Sequence, residues 1–262
     1  MSLTRRRRSS ITNFMMFTGR PRSGRWTCGT GVLKSWSETT SMADEKYLSI
    51  KTEMIAKCRL LEELGYFVGT WGNLCVRVPD GFLVTPSRIS YALIEPSDFV
   101  TVSMEGTIVS GRRLPSSETE IHRAVLNKKG DVGAIVHSHS PYATAVSCLH
   151  QSIPVFVEDM AQIIGGEVRC TRYVPAGQHK RIAEEVGKTI GEENAVLLAN
   201  HGVLCCGRDL EEALVANQIL EKAAMMMLAA GGRENVIPIP EEFVRSERHR
   251  FCHKYGTADD AP

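Results

Sequence analysis

Four short apolar runs follow one another between residues 73 and 111 with no room for a helix between any two of them. They are "NLCVRV" ending at Val78, "GFLVTP" around Leu83, and "FVTVS" and "GTIVSG", the last two joined by a turn at Glu105 and Gly106. Parallel neighbours need a crossover of about a dozen residues or more, whereas antiparallel neighbours need only a tight turn. The spacing therefore predicts that these strands lie antiparallel to one another.

Around this cluster the pattern alternates between helix and strand. Leu48, Ile50, Met54, Ile55, Cys58, Leu61 and Leu64 recur near helical spacing and Gly65 follows as a stop. "LPSSETEIHRAVLNKKG" predicts a helix with a capping box formed by Ser117 and Glu120, and Gly130 closes it. Next come "VGAIVHSHS" as a buried strand, "PYATAVSCLH" as a short helix, "IPVFVE" as a strand and "KRIAEEVGKTIG" as an amphipathic helix. "AVLLANHGVLCCG" reads as a strand entering and leaving a turn, and "DLEEALVANQILEKAAMMMLAAGG" as a long helix capped by Asp209. No glycine fingerprint of the GxGxxG type is present. The expected fold is α/β, a three-layer α/β/α sandwich around a mostly antiparallel or mixed sheet.

With 262 residues and 43% hydrophobic composition, one large domain can bury a sizeable core. The expected division is a disordered basic extension over 1–41, a catalytic domain over 42–235 and a C-terminal tail over 236–262. The net charge of +1 is uneven. Of 31 basic and 30 acidic residues, eight basic and one acidic, Glu38, fall within residues 1–40, leaving the body near −6. Such a body does not suit nucleic acid. The extension resembles a transit segment in composition, and Arg5 to Arg8 can meet a polyanion. Disorder, or an upstream start with the working start at Met42, accounts for it better, because it offers no apolar face to dock. Eight cysteines without a CxxC pair read as reduced, buried thiols of a cytoplasmic protein. No apolar stretch approaches the roughly 20 residues of a membrane span.

The chemistry-bearing residues begin with "AIVHSHSPYATA". Side chains at i and i+2 of a strand share a face, so His137 and His139 project side by side, a chelating geometry. A histidine pair at a strand end is as often a solvated edge. His201 in "LLANHGVLCCG" changes that balance, because it lies at a strand-end turn beside a glycine. Three neutral imidazoles with an open fourth position make a catalytic zinc site. Glu118, in the first turn of its helix, is expected to be ionised, stabilised by the helix dipole and by any nearby dication. Ser116 and Ser117 read either as capping residues or as hydroxyls of an anion site at the helix N-terminus.

In order along the chain, "GTWGNLCVR", "LVTPSRIS", "EGTIVSGRRLPSSETEIH", "DVGAIVHSHSPYATAVS" and "NAVLLANHGVLCCGRDLEEA" closely resemble the class II aldolase/adducin family, over roughly Tyr47 to Gly231. The resemblance implies that His137, His139 and His201 hold a zinc ion. Glu118 is then the acid/base glutamate and a ligand of the resting metal. It implies phosphate or substrate contacts at Asn73, Ser87, Ser116 and Ser117, and a homotetramer with active sites between subunits. The implied reaction is cleavage of a ketose 1-phosphate, fuculose-phosphate-like, to dihydroxyacetone phosphate and an aldehyde through a metal-stabilised enediolate. A sugar-acid-phosphate decarboxylase and a pentulose-phosphate 4-epimerase are same-fold alternatives, and an adducin-like interaction module is the non-catalytic one.

Two departures bear on the substrate. Trp71 stands where many members have serine, and Arg88 where they often have glycine. Trp71 reads as a pocket wall or as buried packing, and Arg88 as a phosphate or carboxylate clamp or an exposed loop cation. The family also uses tyrosine proton donors near its tail, for which Tyr255 is the nearest match, ahead of Tyr142 and Tyr173. His249 and His253 read as solvated; His122, one turn after Glu118 and on the same side of the helix, reads as a packing histidine in preference to a group supporting the Glu118 site; and Met225 to Met227 with Leu228 read as helix packing.

Overall fold

In the computed structural model, which describes residues 46–255, the four closely spaced runs form consecutive antiparallel strands: β1 (Asn73–Val78), β2 (Gly81–Val84), β3 (Val100–Val102) and β4 (Ile108–Ser110). β5 (Ala134–Ser138) joins the free edge of β1, followed by β7 (Gly202–Gly207) and β6 (Ala195–Leu198), so the sheet order is β4-β3-β2-β1-β5-β7-β6. Every strand pair is antiparallel. Among the described residues parallel pairing is confined to an isolated bridge between Cys170 and Leu197.

Among the described residues six α-helices cover the sheet: α1 (Leu48–Glu63), α2 (Thr119–Lys128), α3 (Pro141–Cys148), α4 (His179–Thr189), α5 (Leu210–Ala229) and α6 (Glu241–His253). Strand alternation decides which helix each residue meets. On β5, Ala134 and Val136 pack with Met54, Cys58 and Leu61 of α1 and with Leu210, Ala213 and Leu214 of α5. Ile135 points the other way, into a cluster with Ile121, Val125 and Leu126 of α2 and Ile182, Ala183 and Val186 of α4. On the α1/α5 side, Leu197, Val203 and Cys205 continue the core toward Ala143 and Val146 of α3 and Val244 of α6. Helices therefore cover both faces of the sheet, as the expected three-layer α/β/α sandwich requires. His137 continues the alternation of Ile135 and so faces α2, whose first turn carries Glu118.

Several local expectations are met. Asp209 caps α5, its carboxylate accepting from the Glu212 N–H at 2.8 Å. α1 ends at Glu63 and Gly65 follows at φ +71°, a conformation glycine adopts freely. Two are corrected. "IPVFVE" forms no strand: Ile153 makes one bridge to Val168, Pro154 has no N–H to continue a ladder, and the chain enters a π-helical turn at Met160–Ile164. The capping box is not formed either, because the cap of α2 falls one residue beyond Ser117, at Glu118, with no side-chain capping bond.

The segment after residue 235 carries α6. Its Val244 is buried, and its Arg248 guanidinium donates to the carbonyls of Gln162 and Ile163 at 2.6 and 3.0 Å. The expectations for residues 1–41 lie outside the described residues. Among the described residues no helix is long and apolar enough to cross a membrane, and all seven cysteines are free thiols.

Candidate metal centre and cavity

Three elements converge at the ends of β5, β6 and β7. His137 lies on β5, fully buried, and its Nδ1–H donates to the Val203 carbonyl at 2.8 Å. A carbonyl only accepts, so this bond fixes the proton on Nδ1 and leaves Nε2 bare toward the site. His139 lies just past the strand, its backbone N–H held by the Tyr66 carbonyl at 3.0 Å. His201 sits in the turn between β6 and β7, where Asn200 takes φ +55°, a left-handed conformation that asparagine tolerates. Gly202 is obligatory beside it: a Cβ there would meet the Ser138 carbonyl oxygen at 2.5 Å and the His139 ring at 2.7 Å.

The three rings stand 4.9 to 5.2 Å apart, edge to face, with one ring nitrogen of each within 4.8 Å of the others. Nε2 of His137 and Nε2 of His139 are buried without a hydrogen-bond partner. Buried polar atoms in folded proteins are nearly always paired, so converging orphan imidazole nitrogens fit a shared cation. The donor set suits a first-row dication and does not by itself select zinc.

Glu118 closes the group. Its Oε2 is 3.2 Å from His137 Nε2 and its Oε1 is 3.1 Å from His201 Nε2. Burial pushes its carboxyl up, but the imidazoles of His137 and His201 outweigh burial and hold it well below the usual carboxylate range. His137 moves the opposite way: burial lowers it, and the facing Glu118 carboxylate more than restores the loss. Burial, helped by the neighbouring His137 and His201, takes His139 down to about 3. A neutral ligand and an ionised carboxylate are the states that cation binding needs.

A cavity of about 470 Å³ opens beside Glu118 and His201, with Gly72, Asn73, Ser87, Arg88, Ser116 and Ser117 in its wall. Two loops build that wall by running side by side: Ser87 N–H bonds the Leu114 carbonyl and Ser116 N–H the Thr85 carbonyl. Ser116 also accepts the Glu118 N–H on its Oγ at 3.2 Å, which explains why the helix start is turned rather than boxed. Trp71 is a pocket wall, 65% exposed, and not a packing residue. Gly72 behind it takes φ +95°, and a Cβ there would lie 2.2 Å from the Phe67 ring. Arg88 sits at φ +60°, which accounts for the glycine that family members often carry there.

Within this chain family membership rests on more than motifs. A family profile described as "Class II Aldolase and Adducin N-terminal domain" matches residues 52–228. The chain belongs to the class II aldolase/adducin family. Relatives include the 5-methylthioribulose-1-phosphate/5-deoxyribulose-1-phosphate aldolase of Rhodospirillum rubrum, 34% identical over 213 residues, which cover 81% of this chain and 94% of that protein. The L-fuculose phosphate aldolase of Escherichia coli (strain K12) is 33% identical over 187 residues, 71% of this chain and 86% of that protein. A solved L-fuculose 1-phosphate aldolase superposes with a TM-score of 0.74 at 32% identity, covering 78% of this chain and 96% of that one.

Against the aldolase-family expectations, His137, His139, His201 and Glu118 meet as one group, and Ser87, Arg88, Ser116 and Ser117 share the cavity beside it. Asn73 lines the same cavity, but its amide is committed to Glu118 and to His122. Tyr255 is not in the cavity wall of its own chain. It is exposed after α6, against Phe251 and Arg250, and Tyr142 and Tyr173 are exposed elsewhere. His249 and His253 stack on α6 at 4.4 Å, away from the triad. Of the three methionines only Met227 is buried.

Two residues were undervalued by sequence reasoning. His122 is no isolated packing histidine, since it bonds Asn73 beside Glu118. His179 enters the cavity wall from the start of α4, its Nδ1 buried and unpartnered. Its signal in the sequence is no more than a histidine opening an amphipathic helix.

Proposed function

We propose that the protein is a zinc-dependent class II aldolase that cleaves a ketose 1-phosphate, fuculose-phosphate-like, to dihydroxyacetone phosphate and an aldehyde. The observation that carries this reading is Glu118: an ionised carboxylate touching two of three converging imidazoles and facing a cavity large enough for a sugar phosphate. A ketose 1-phosphate is also common to the names of the Rhodospirillum relative and of the superposed structure.

His137, His139 and His201 hold the cation. When bound, it supplies Lewis acidity at the substrate carbonyl. In the cleavage direction the bond between C3 and C4 breaks, its electron pair remains on C3, and C4 leaves as the aldehyde carbon once its hydroxyl proton is removed. Glu118 takes up that hydroxyl proton and returns it to C3, completing dihydroxyacetone phosphate. In condensation it removes that proton. Ser116 and Ser117 at the start of α2, with Ser87, bind the phosphate; Arg88 supplies positive charge facing it, and His179 offers a ring nitrogen from the same wall. Binding so far from the reacting carbons lends its energy to orientation. Tyr255 lies away from its own chain's cavity, so as a proton donor it serves the site of a neighbouring copy in a homotetramer. Reduced thiols throughout the core fit a cytoplasmic enzyme.

The test combines elemental analysis of wild type and His139→Ala with coupled detection of dihydroxyacetone phosphate across a panel of ketose 1-phosphates. Near-stoichiometric zinc that the variant loses, together with metal-dependent cleavage, is the expected result. Zinc with no cleavage of any panel member moves the assignment to decarboxylation or epimerisation. No bound metal in wild type overturns the enzyme assignment.

A further inference from the structure

The carboxylate that moves the proton is held by a chain of buried groups reaching away from the cavity. Asn73, the first residue of β1, donates from Nδ2 to Glu118 Oε2 at 2.7 Å. Its Oδ1 is bonded in turn by Nε2 of His122, which lies one turn after Glu118 on α2 and is wholly shielded from solvent. The link ties the first turn of α2 to the sheet beside His137, since Asn73 and His137 are register partners on β1 and β5.

The direction of every bond in this chain is dictated by one end. An ionised carboxylate only accepts, so the group facing Glu118 has to be the amide N–H₂ of Asn73. The amide oxygen then faces His122, and His122 has to carry its proton on Nε2. Turning the amide over would set its oxygen against the carboxylate oxygen and leave His122 with no acceptor. Nδ1 of His122 has no partner. A bare ring nitrogen there costs less than a buried, unpaired N–H, so the neutral Nε2–H ring is the form that fits.

We infer that His122 is a positioning residue for the proton transfer assigned above to Glu118. Its Nε2–H locks the Asn73 amide, and the locked amide fixes the rotamer of the Glu118 carboxylate toward the cavity. The role depends on the aldolase reading for its kinetic consequence, but the tautomer does not.

Two variants of the full chain separate positioning from packing. His122→Gln keeps an N–H donor near the place of Nε2, whereas His122→Leu fills the volume without one. Both are expected to melt within a few degrees of wild type. Supporting groups of this kind are typically worth about 10- to 100-fold. His122→Leu should therefore lose about that factor in kcat, with KM for the ketose phosphate little changed, and His122→Gln should recover most of it. Wild-type kcat in His122→Leu, or equal losses in both variants that track their melting temperatures, would overturn the inference. Independently of any turnover, nitrogen-15 NMR of metal-free wild type should show His122 as the Nε2–H tautomer with a slowly exchanging proton, and an Nδ1–H ring would equally overturn it. Absence of cleavage by wild type itself condemns the aldolase reading instead, and the tautomer then decides the bonding chain alone.

Discussion

Arg88 spends conformational energy at the edge of the cavity. A non-glycine residue in the left-handed region costs roughly 1 to 2 kcal/mol, and among the described residues the Arg88 side chain has no hydrogen-bond or ion-pair partner that repays it. Strain of this kind persists where the surrounding structure and function retain it. Arg88→Gly is therefore expected to leave the melting temperature unchanged or raised, while KM for the phosphorylated ketose rises several-fold. A fall in stability with unchanged KM would show that Arg88 serves the turn and not the substrate. Trp71 and Gly72 illustrate the same economy: the glycine lets the Phe67 ring pass behind the turn, the Tyr91 hydroxyl donates to its carbonyl, and the tryptophan is left facing the cavity.

Elements matter here through their ends. α2 delivers Glu118 at its N-cap, β5 delivers His137 near its end and His139 just past it, and the hairpin between β6 and β7 delivers His201. Strand ends and helix starts hold side chains more precisely than free loops, because the neighbouring backbone is already paired. The hairpin has the narrowest tolerance. Asn200 keeps φ +55° and accepts on Oδ1 from His150. Asn200→Val, which cannot adopt that conformation without strain, should lower metal occupancy although it alters no candidate ligand, whereas Asn200→Gly should retain it. Equal metal content in both variants would show that the hairpin does not set the position of His201.

Over the whole molecule, the buried histidines make stability depend on acidity. His122, lowered to about 3 by burial, and His139, lowered to about 3 mainly by burial, both lie below the ordinary 6.5. Their contribution is complete above 6.5 and is lost as pH falls from 6.5 toward 3, because the unfolded chain takes up protons that the folded chain refuses. Glu118, held below its usual range, adds to the loss at the acid end. His137, raised by Glu118, opposes it, since a raised group contributes below 6.5 and loses that contribution as pH climbs. Metal-free protein followed by urea unfolding should thus weaken between pH 6.5 and 3. In His122→Gln the slope should shrink by up to about 1.4 kcal/mol per pH unit; an unchanged slope would mean that His122 titrates normally. What the sequence determined by itself was whatever depends on local period and composition: antiparallel strands from their close spacing, helices from the recurrence of Leu, Ile and Met, the Asp209 cap, and three histidines placed at strand ends. Tertiary structure alone decided what depends on distant segments meeting. Pairing of the loops at 85–87 and 114–116 set Ser116 to accept the Glu118 N–H and moved the helix cap past Ser117, so the expected box with Glu120 did not form; Pro154 interrupted an expected strand ahead of the π-helical turn at Met160–Ile164; and His179 reached the cavity from a helix that its sequence marks only as amphipathic. The tie from His122 through Asn73 to Glu118 joins residues 45 and 49 positions apart. No local pattern encodes it, because its energy arises only when α2 is laid on the sheet and the groups are removed from water together.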